Sequence, residues 1–245
     1  MLRDGSKDVD EKFNLREAMS AFKGWKMGMY AIISFTYAMG YTTTSTFLPQ
    51  IVQRLGFSVV KTNLWTVAPN CVGVVVLLLV TKSSDHFRER TFHLVFAMSL
   101  TLVGLIILAT IDVVENKGVG YFAMFLMTSG AYIPSCLVHT WHNSNSLGEN
   151  QRAAVTGLFV GFGNLSGIVS SATFRTEYAP RYLPTLIATA TSLGICVTCT
   201  LILGLWMKAD NRRRNREQGV NIGPGDVDTE GLTNGDKSPQ WRWSS

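Results

Sequence analysis

Hydrophobic and charged positions in this chain are segregated into blocks. Six long stretches contain no Asp, Glu, Lys or Arg: Met27–Gln53, Thr62–Thr81, Thr91–Ile111, Gly118–Trp141, Ala153–Phe174 and Tyr182–Met207. Each is long enough for a helix to cross about 30 Å of hydrocarbon, which takes roughly 20 residues. In lipid only helices and closed barrels satisfy every backbone polar group. The stretches lack the alternation of a barrel strand and are too long for one. The pattern predicts an all-α, polytopic membrane protein: a six-helix transmembrane bundle over residues 27–207. A polar arm (1–26) and a polar tail (208–245) flank it.

The arm carries Phe13, Leu15, Ala18, Met19, Phe22 and Trp25 at near-helical spacing, with charges between them. That spacing fits an amphipathic helix on the membrane face or a soluble linker helix. Residues 1–11 read as disordered. So does Gln218–Ser245, which is rich in Gly, Asp, Asn and Ser without periodicity. The connections between stretches are short, which makes successive helices antiparallel neighbours and leaves no room for a catalytic domain.

The formal charge of +5 on 245 residues raises the question of a nucleic-acid partner. Its distribution answers it. Lys and Arg gather in the arm, at Lys82, Arg88 and Arg90, at Arg152, and at Lys208, Arg212, Arg213, Arg214 and Arg216. The alternate connections hold fewer: Arg54 and Lys61, Lys117, then Arg175 and Arg181. By the positive-inside rule the richer set is cytoplasmic, and an even number of spans puts both termini there. The basic excess is topological, and no nucleic-acid site is implied.

All four cysteines, Cys71, Cys136, Cys196 and Cys199, lie inside spans. Cys196-Val-Thr-Cys199 has the spacing of a zinc or redox pair, but no second ligand pair accompanies it. It reads as two small residues on a lipid-embedded helix. His139 and His142, three apart at one end of the fourth span, have no neighbouring carboxylate and read as an interfacial pair. No phosphate loop, nucleophile elbow or metalloprotease motif is present, so no enzyme, metal or cofactor is expected.

Polar groups at membrane depth are costly and tend to mark pathways. Here they are Tyr41 with the run Thr42–Thr46, Asn70, Tyr132 and Asn164. Each has a purely structural alternative. The threonines can bond back to their own helix. Asn70 follows Pro69 and either lines a cavity or repairs the kink. Asn164 sits within Gly157-x-x-x-Gly161 and Gly163-x-x-x-Gly167, spacings that let helix backbones touch. A weak echo about 91 residues apart pairs Tyr30 with Tyr121 and Tyr41 with Tyr132. Gly40 and Pro49 would interrupt the first span as Gly130 and Pro134 interrupt the fourth. Broken helices at matching positions of an inverted repeat point to a transport site. The loop Thr81–Arg90 carries Asp85, Arg88 and Arg90, an acid followed by two arginines. It fits a latch of remakeable ion pairs or a topology anchor.

On these residues the chain resembles the major facilitator superfamily, whose cytoplasmic D-R-x-x-R-R loop is similar to Asp85–Arg90. It departs from that pattern at His86 and Glu89. More narrowly it resembles the fungal anion:cation symporters, typified by allantoate permease and by nicotinate, pantothenate and biotin transporters. The matching stretches are Phe47-Leu-Pro-Gln-Ile51 with Leu55-Gly-Phe57, Asn63–Pro69, Trp141–Asn145 with Gln151-Arg-Ala153, Gly163–Ile168 and Asn211–Arg216. The resemblance implies spans seven to twelve of a twelve-span fold, hence half of a transporter. It also implies a small organic anion as substrate, a proton as coupling ion, and a plasma-membrane setting. Completion would come from an amino-terminal half or a homodimer partner. Tyr41, Asn70, Tyr132 and Asn164 become the expected substrate contacts, and Asp85, Arg88 and Arg90 the expected gate. No acid lies at membrane depth to take up the proton, which leaves His139 as the deeper titratable group. The rival expectation is a half-size membrane protein that transports nothing and modulates a full-length permease through its Gly-rich fifth span.

Overall fold

The computed structural model of the chain describes residues 19, 22, 24–54, 58–146, 148–179, 181–227 and 238–245. Most of the expected amphipathic helix of the arm lies outside the described residues. Among them are seven α-helices: α1 (Trp25–Arg54), α2 (Val59–Phe87), α3 (Thr91–Thr110), α4 (Lys117–Ala131), α5 (Ile133–Ser144), α6 (Glu149–Thr173) and α7 (Leu183–Gln218). No strand occurs among the described residues. The predicted fourth span is α4 and α5 end to end, broken at Tyr132. Pro134 lacks the N–H that would continue the ladder, so it sits in the first turn of the new helix.

Five spans qualify as membrane-crossing by length and composition, with α4 and α5 counted together. α1 falls outside that set although it is 30 residues long, because Tyr30, Ser34, Tyr37 and the Tyr41–Thr46 run dilute it. Its polarity has an interior destination. α1 packs on α7 and α6 and also touches α2, α4 and α5, and its Ile33, Ser34, Thr43, Thr44 and Val52 are fully buried. α1 is continuous through Gly40 and Pro49, so the expected interruption of the first span does not occur; only the fourth span is broken. A hydroxyl chain joins three helices: Thr43 Oγ1 lies 2.8 Å from Thr189 Oγ1 on α7 and 3.3 Å from Ser170 Oγ on α6. Thr189 in turn donates to the Thr185 carbonyl at 2.9 Å.

Close helix approach depends on glycines other than those the sequence singled out. A methyl group on Gly104 of α3 would stand 2.8 Å from the Ala123 carbonyl of α4, and one on Gly73 of α2 would stand 2.8 Å from that of Thr128. Gly130 of α4 is likewise pressed on Ala97 and Thr101. Gly157 and Gly161 of α6, by contrast, face open space, and Gly163 comes no nearer than 3.9 Å to Ala38. The expected backbone contact through the Gly157–Gly167 stripe is therefore absent within the described residues. α2 shows Val60, Leu64, Val67, Leu78 and Leu79 at its surface, as a helix solvated by lipid does.

The start of α1 and the far end of α7 lie together, with the Trp25 and Trp206 rings 5.0 Å apart edge to face. This end also holds Arg90 and Lys208. The opposite end carries the Arg181–Asp112 ion pair at 3.0 Å. α7 runs past the last apolar stretch to Gln218, where the expected unstructured tail begins, and ends at Gly219 with φ 65°. Within that tail the expectation fails at residues 238–245. Residues 238–245 fold back onto the basic end, burying Trp241, Arg242 and Trp243. Tryptophan is why: two indoles two residues apart bury too much apolar surface to stay in water, and a segment that short has no period to read.

A candidate transport site at the broken helix

Pro69 withdraws one donor from α2, which frees the carbonyl of Trp65, four residues earlier. Tyr121 of α4 fills the gap, its hydroxyl donating to that carbonyl at 2.9 Å. Thr128 donates to the Pro69 carbonyl itself at 2.9 Å. Asn70, next along, bonds both within its own helix and across to α4/α5. Its amide N–H donates to the Thr66 carbonyl at 2.9 Å, and its carbonyl oxygen accepts from the Tyr132 hydroxyl at 3.2 Å. Tyr132 occupies the α4/α5 break, and its ring meets Tyr41 of α1 edge to face with centroids 5.4 Å apart.

Three of the four residues expected to contact substrate thus converge from three elements onto one patch. Tyr41 is 44% exposed, so the patch opens outward with a phenol, an amide and a second phenol. The Tyr41 hydroxyl and the second Asn70 amide N–H can be given to an oxygen anion without a charge being supplied, while the Tyr132 proton is held by Asn70. Asn164 is not part of it. It lies exposed on α6, with no hydrogen bond among the described residues. The threonine run divides as its alternatives did: Thr42 and Thr46 bond back to their own helix, while Thr43 bonds across helices.

The three residues expected to form a gate lie together at the turn between α2 and α3. Arg90 Nη2 meets Asp85 Oδ1 at 3.3 Å, with the arginine side chain 10% exposed and the acid 67%. Arg90 Nε and Nη1 are buried with no partner among the described residues. Burial pushes the Arg90 pKa below the ordinary guanidinium value, against the pull of Asp85 and of Tyr30. Arg88 ends α2 in the left-handed region at φ 51°, its N–H bonded to the Ser84 carbonyl.

Glu89 looks like an interruption in the sequence, but it is the hub of this loop. Its carboxylate accepts from the Phe92 N–H at 3.0 Å, capping α3. It also meets His93 Nδ1 at 3.1 Å and Lys208 Nζ at 2.9 Å. His93 Nε2 reaches Ser83 Oγ at 3.0 Å. An acid one turn before a helical histidine was the available signal for this chain; Lys208, more than 100 residues on, gave none. His139 and His142 both meet Phe159 edge to face, with centroids 5.4 Å away. Cys196 is buried with its thiol turned to the Ile33 carbonyl. Among the described residues no group of His, Cys, Asp and Glu is arranged to hold a metal.

Comparison with known proteins agrees with this architecture. The Major Facilitator Superfamily family matches residues 4–171. A major facilitator-type transporter of Emericella nidulans is 56% identical over 243 residues, covering 99% of this chain and 49% of the relative. An MFS-type transporter of Hormonema carpetanum is 51% identical over 245 residues, covering 100% and 49%. A more distant relative, the high-affinity nicotinic acid transporter of Saccharomyces cerevisiae, is 26% identical over 207 residues, covering 84% and 38%. The chain spans about half the length of the curated relatives it matches. With a broken helix, a charged interhelical loop and helices built for lipid, this multi-pass membrane chain belongs to the major facilitator superfamily, of which it presents half of the fold.

Proposed function

We propose that the chain forms one wall of a secondary transport pathway for small organic anions of the vitamin-carboxylate or allantoate type, coupled to protons. The meeting of Tyr41, Asn70 and Tyr132 at the α4/α5 break carries this reading. Tyr41 and Asn70 donate hydrogen bonds to a carboxylate, Tyr132 joins them when its proton leaves Asn70, and the break lets Tyr132 move with its half-helix. Asn164, on the separate face of α6, contributes from a second position along the pathway. The opposite wall comes from an amino-terminal half or from a second copy. The Asp85–Arg90 pair, with Arg88 beside it, opens and closes with the cycle. The basic end faces the cytoplasm with both termini, and the membrane is the plasma membrane. Proton coupling and substrate class rest on the symporter resemblance and on relatives named for nicotinic acid and for the thiamine pathway.

The test is uptake of radiolabelled nicotinate and allantoate into vesicles holding the purified chain, alone and with the amino-terminal half of a homologue. The expected result is saturable uptake in one arrangement, collapsed by a protonophore and reduced tenfold or more by Asn70→Leu. Absence of saturable uptake in both arrangements overturns the reading. The open face at Gly157 and Gly161 favours a second reading, in which the chain associates with a full-length permease and modulates it. Co-purification with such a permease, lost on Gly161→Leu, is its signature.

A further inference from the structure

We propose that residues 238–245 are a brake on the half-helix α5, holding its free end against α7 so that it does not turn about the Tyr132 break. On the α7 side the segment is held by paired contacts. Asn211 accepts from the Trp243 N–H and donates to the Trp243 carbonyl, both at 2.7 Å. The Trp243 indole N–H donates to Asp210 at 2.8 Å, and Arg242 Nε donates to the Asn215 side-chain oxygen at 2.7 Å. Arg214 holds the Ser238 carbonyl at 2.8 Å. Lys26 of α1 sits 3.9 Å from the Trp243 ring centroid, a cation over an aromatic face.

On the α5 side one residue does the fastening. The Ser244 carbonyl accepts from the Trp141 indole N–H and from the Asn145 amide, each at 2.8 Å, and the Ser244 N–H donates to the Asn145 side-chain oxygen at 2.8 Å. The Ser245 carbonyl accepts from the Arg90 N–H at 2.8 Å.

α5 is therefore tied at both ends and by different means. At Tyr132 the helical ladder is interrupted, and the same residue carries the bond to Asn70. At Trp141 and Asn145 the tie is the strap. Twelve helical residues at 1.5 Å each put the pinned end roughly 18 Å from the break. A turn of about 10° there moves that end by about 3 Å, more than any of the three hydrogen bonds to Ser244 can stretch. While the strap is docked, α5 and Tyr132 keep their present orientation; once it leaves, a turn is opposed by side-chain packing, such as that of Trp141, His139 and His142 on Tyr30 and Phe159, and no longer by these hydrogen bonds. The strap rests on polar contacts and on two indoles, Trp241 and Trp243, that join the same buried cluster as Trp141 of α5.

The experiment is hydrogen–deuterium exchange on the full chain in lipid nanodiscs. Trp243→Ala is expected to speed exchange of residues 138–145 at least tenfold while residues 94–108 of α3 stay as in the parent. Unchanged α5 exchange overturns the proposal, and so does equal acceleration of every helix, which marks a general staple. Asn145→Ala combined with Trp141→Phe removes all three hydrogen bonds to Ser244 and leaves the α7 side intact. The pair is expected to speed 138–144 while residues 241–243 remain protected, and it decides the matter if Trp243→Ala does not fold. Protected α5 amides in this double variant refute the brake. None of these readouts depends on what the protein transports.

Discussion

Gly104 and Gly161 are both interior glycines of membrane helices, yet alanine should act on them with opposite sign. At Gly104 a new methyl carbon would lie 2.8 Å from the Ala123 carbonyl oxygen and 3.2 Å from the Met127 backbone nitrogen. It would also lie 2.7 Å from Met127 Cγ, which can move aside. The backbone atoms cannot. Ordinary contact needs about 3.5 Å, so α3 and α4 must part by about 0.7 Å along a tightly packed pair. Overpacking of this kind costs about 1–3 kcal/mol, and the upper part of the range applies because the obstacle is main chain. The helix-propensity gain of alanine over glycine returns about 0.5–1 kcal/mol. Gly104→Ala should therefore destabilise the bundle by about 1–2 kcal/mol. Gly161 has nothing within 4 Å, so Gly161→Ala keeps the gain and stabilises by about 0.5–1 kcal/mol. Unfolding of each variant in mixed micelles by denaturing detergent reads both. Equal effects of one sign would refute the assignment of close approach to Gly104.

Tyr121→Phe removes the hydrogen bond to the Trp65 carbonyl and should cost about 0.5–1.5 kcal/mol. In a Pro69→Ala background, where residue 69 regains its N–H and can take that carbonyl, the cost should shrink. A double-mutant cycle of detergent unfolding that shows no coupling would contradict this. Asp210 supplies a pH response. Burial alone would raise its pKa, but the Trp243 indole and the Arg214 and Arg213 guanidiniums outweigh that and hold it below the usual carboxylate range. A depressed native pKa means the contribution to strap docking is complete above the unfolded value of about 3.9 and is lost as pH falls through the native one. Tryptophan fluorescence should therefore be flat above about pH 5 and report release below about pH 4, and Asp210→Asn should remove that step. Asp85→Asn should change stability by about 1 kcal/mol or less, since the acid is largely exposed; a larger loss in thermal unfolding would show the pair to be structural.

Much of the architecture was legible because lipid imposes a blunt rule. Ionic groups are kept out of helices about 20 residues long, and six such gaps mark six spans. The same rule singled out Asn70 and Tyr132, since an amide and a phenol at membrane depth need a reason to be there. That they bond each other was not legible, because 62 residues separate them and only the packing of α2 on α4 brings them together. Asn164 met the same criterion but lies on a helix face turned away. Glu89 was misjudged because a motif position describes order along the chain, whereas its partners His93 and Lys208 are set by three helix ends. The small-residue stripe of α6 was the natural guess for close contact. Spacing cannot tell which side of a helix meets a neighbour, and it is α3 with α4 that touch through Gly104 and Gly130. The docked tail was invisible for a related reason: its anchors are two indoles, and the receptor of the segment is assembled from α1, α3, α5 and α7.

The hydroxyls of Ser170, Thr43 and Thr189 can be oriented by counting protons. Thr189 has one, and it is given to the Thr185 carbonyl. Thr43 must then be the giver toward Thr189, and Ser170 the giver toward Thr43. The dipoles run one way, from α6 through α1 into α7, and no member can be reversed alone. Valine at position 43 would preserve the shape but sever both links at once, stranding Ser170's proton in hydrocarbon. α1 is thereby keyed to its two neighbours at a single height, and sliding it by one turn, about 5.4 Å, would bring Met39 or Phe47 to the place where Thr43 now mates with both.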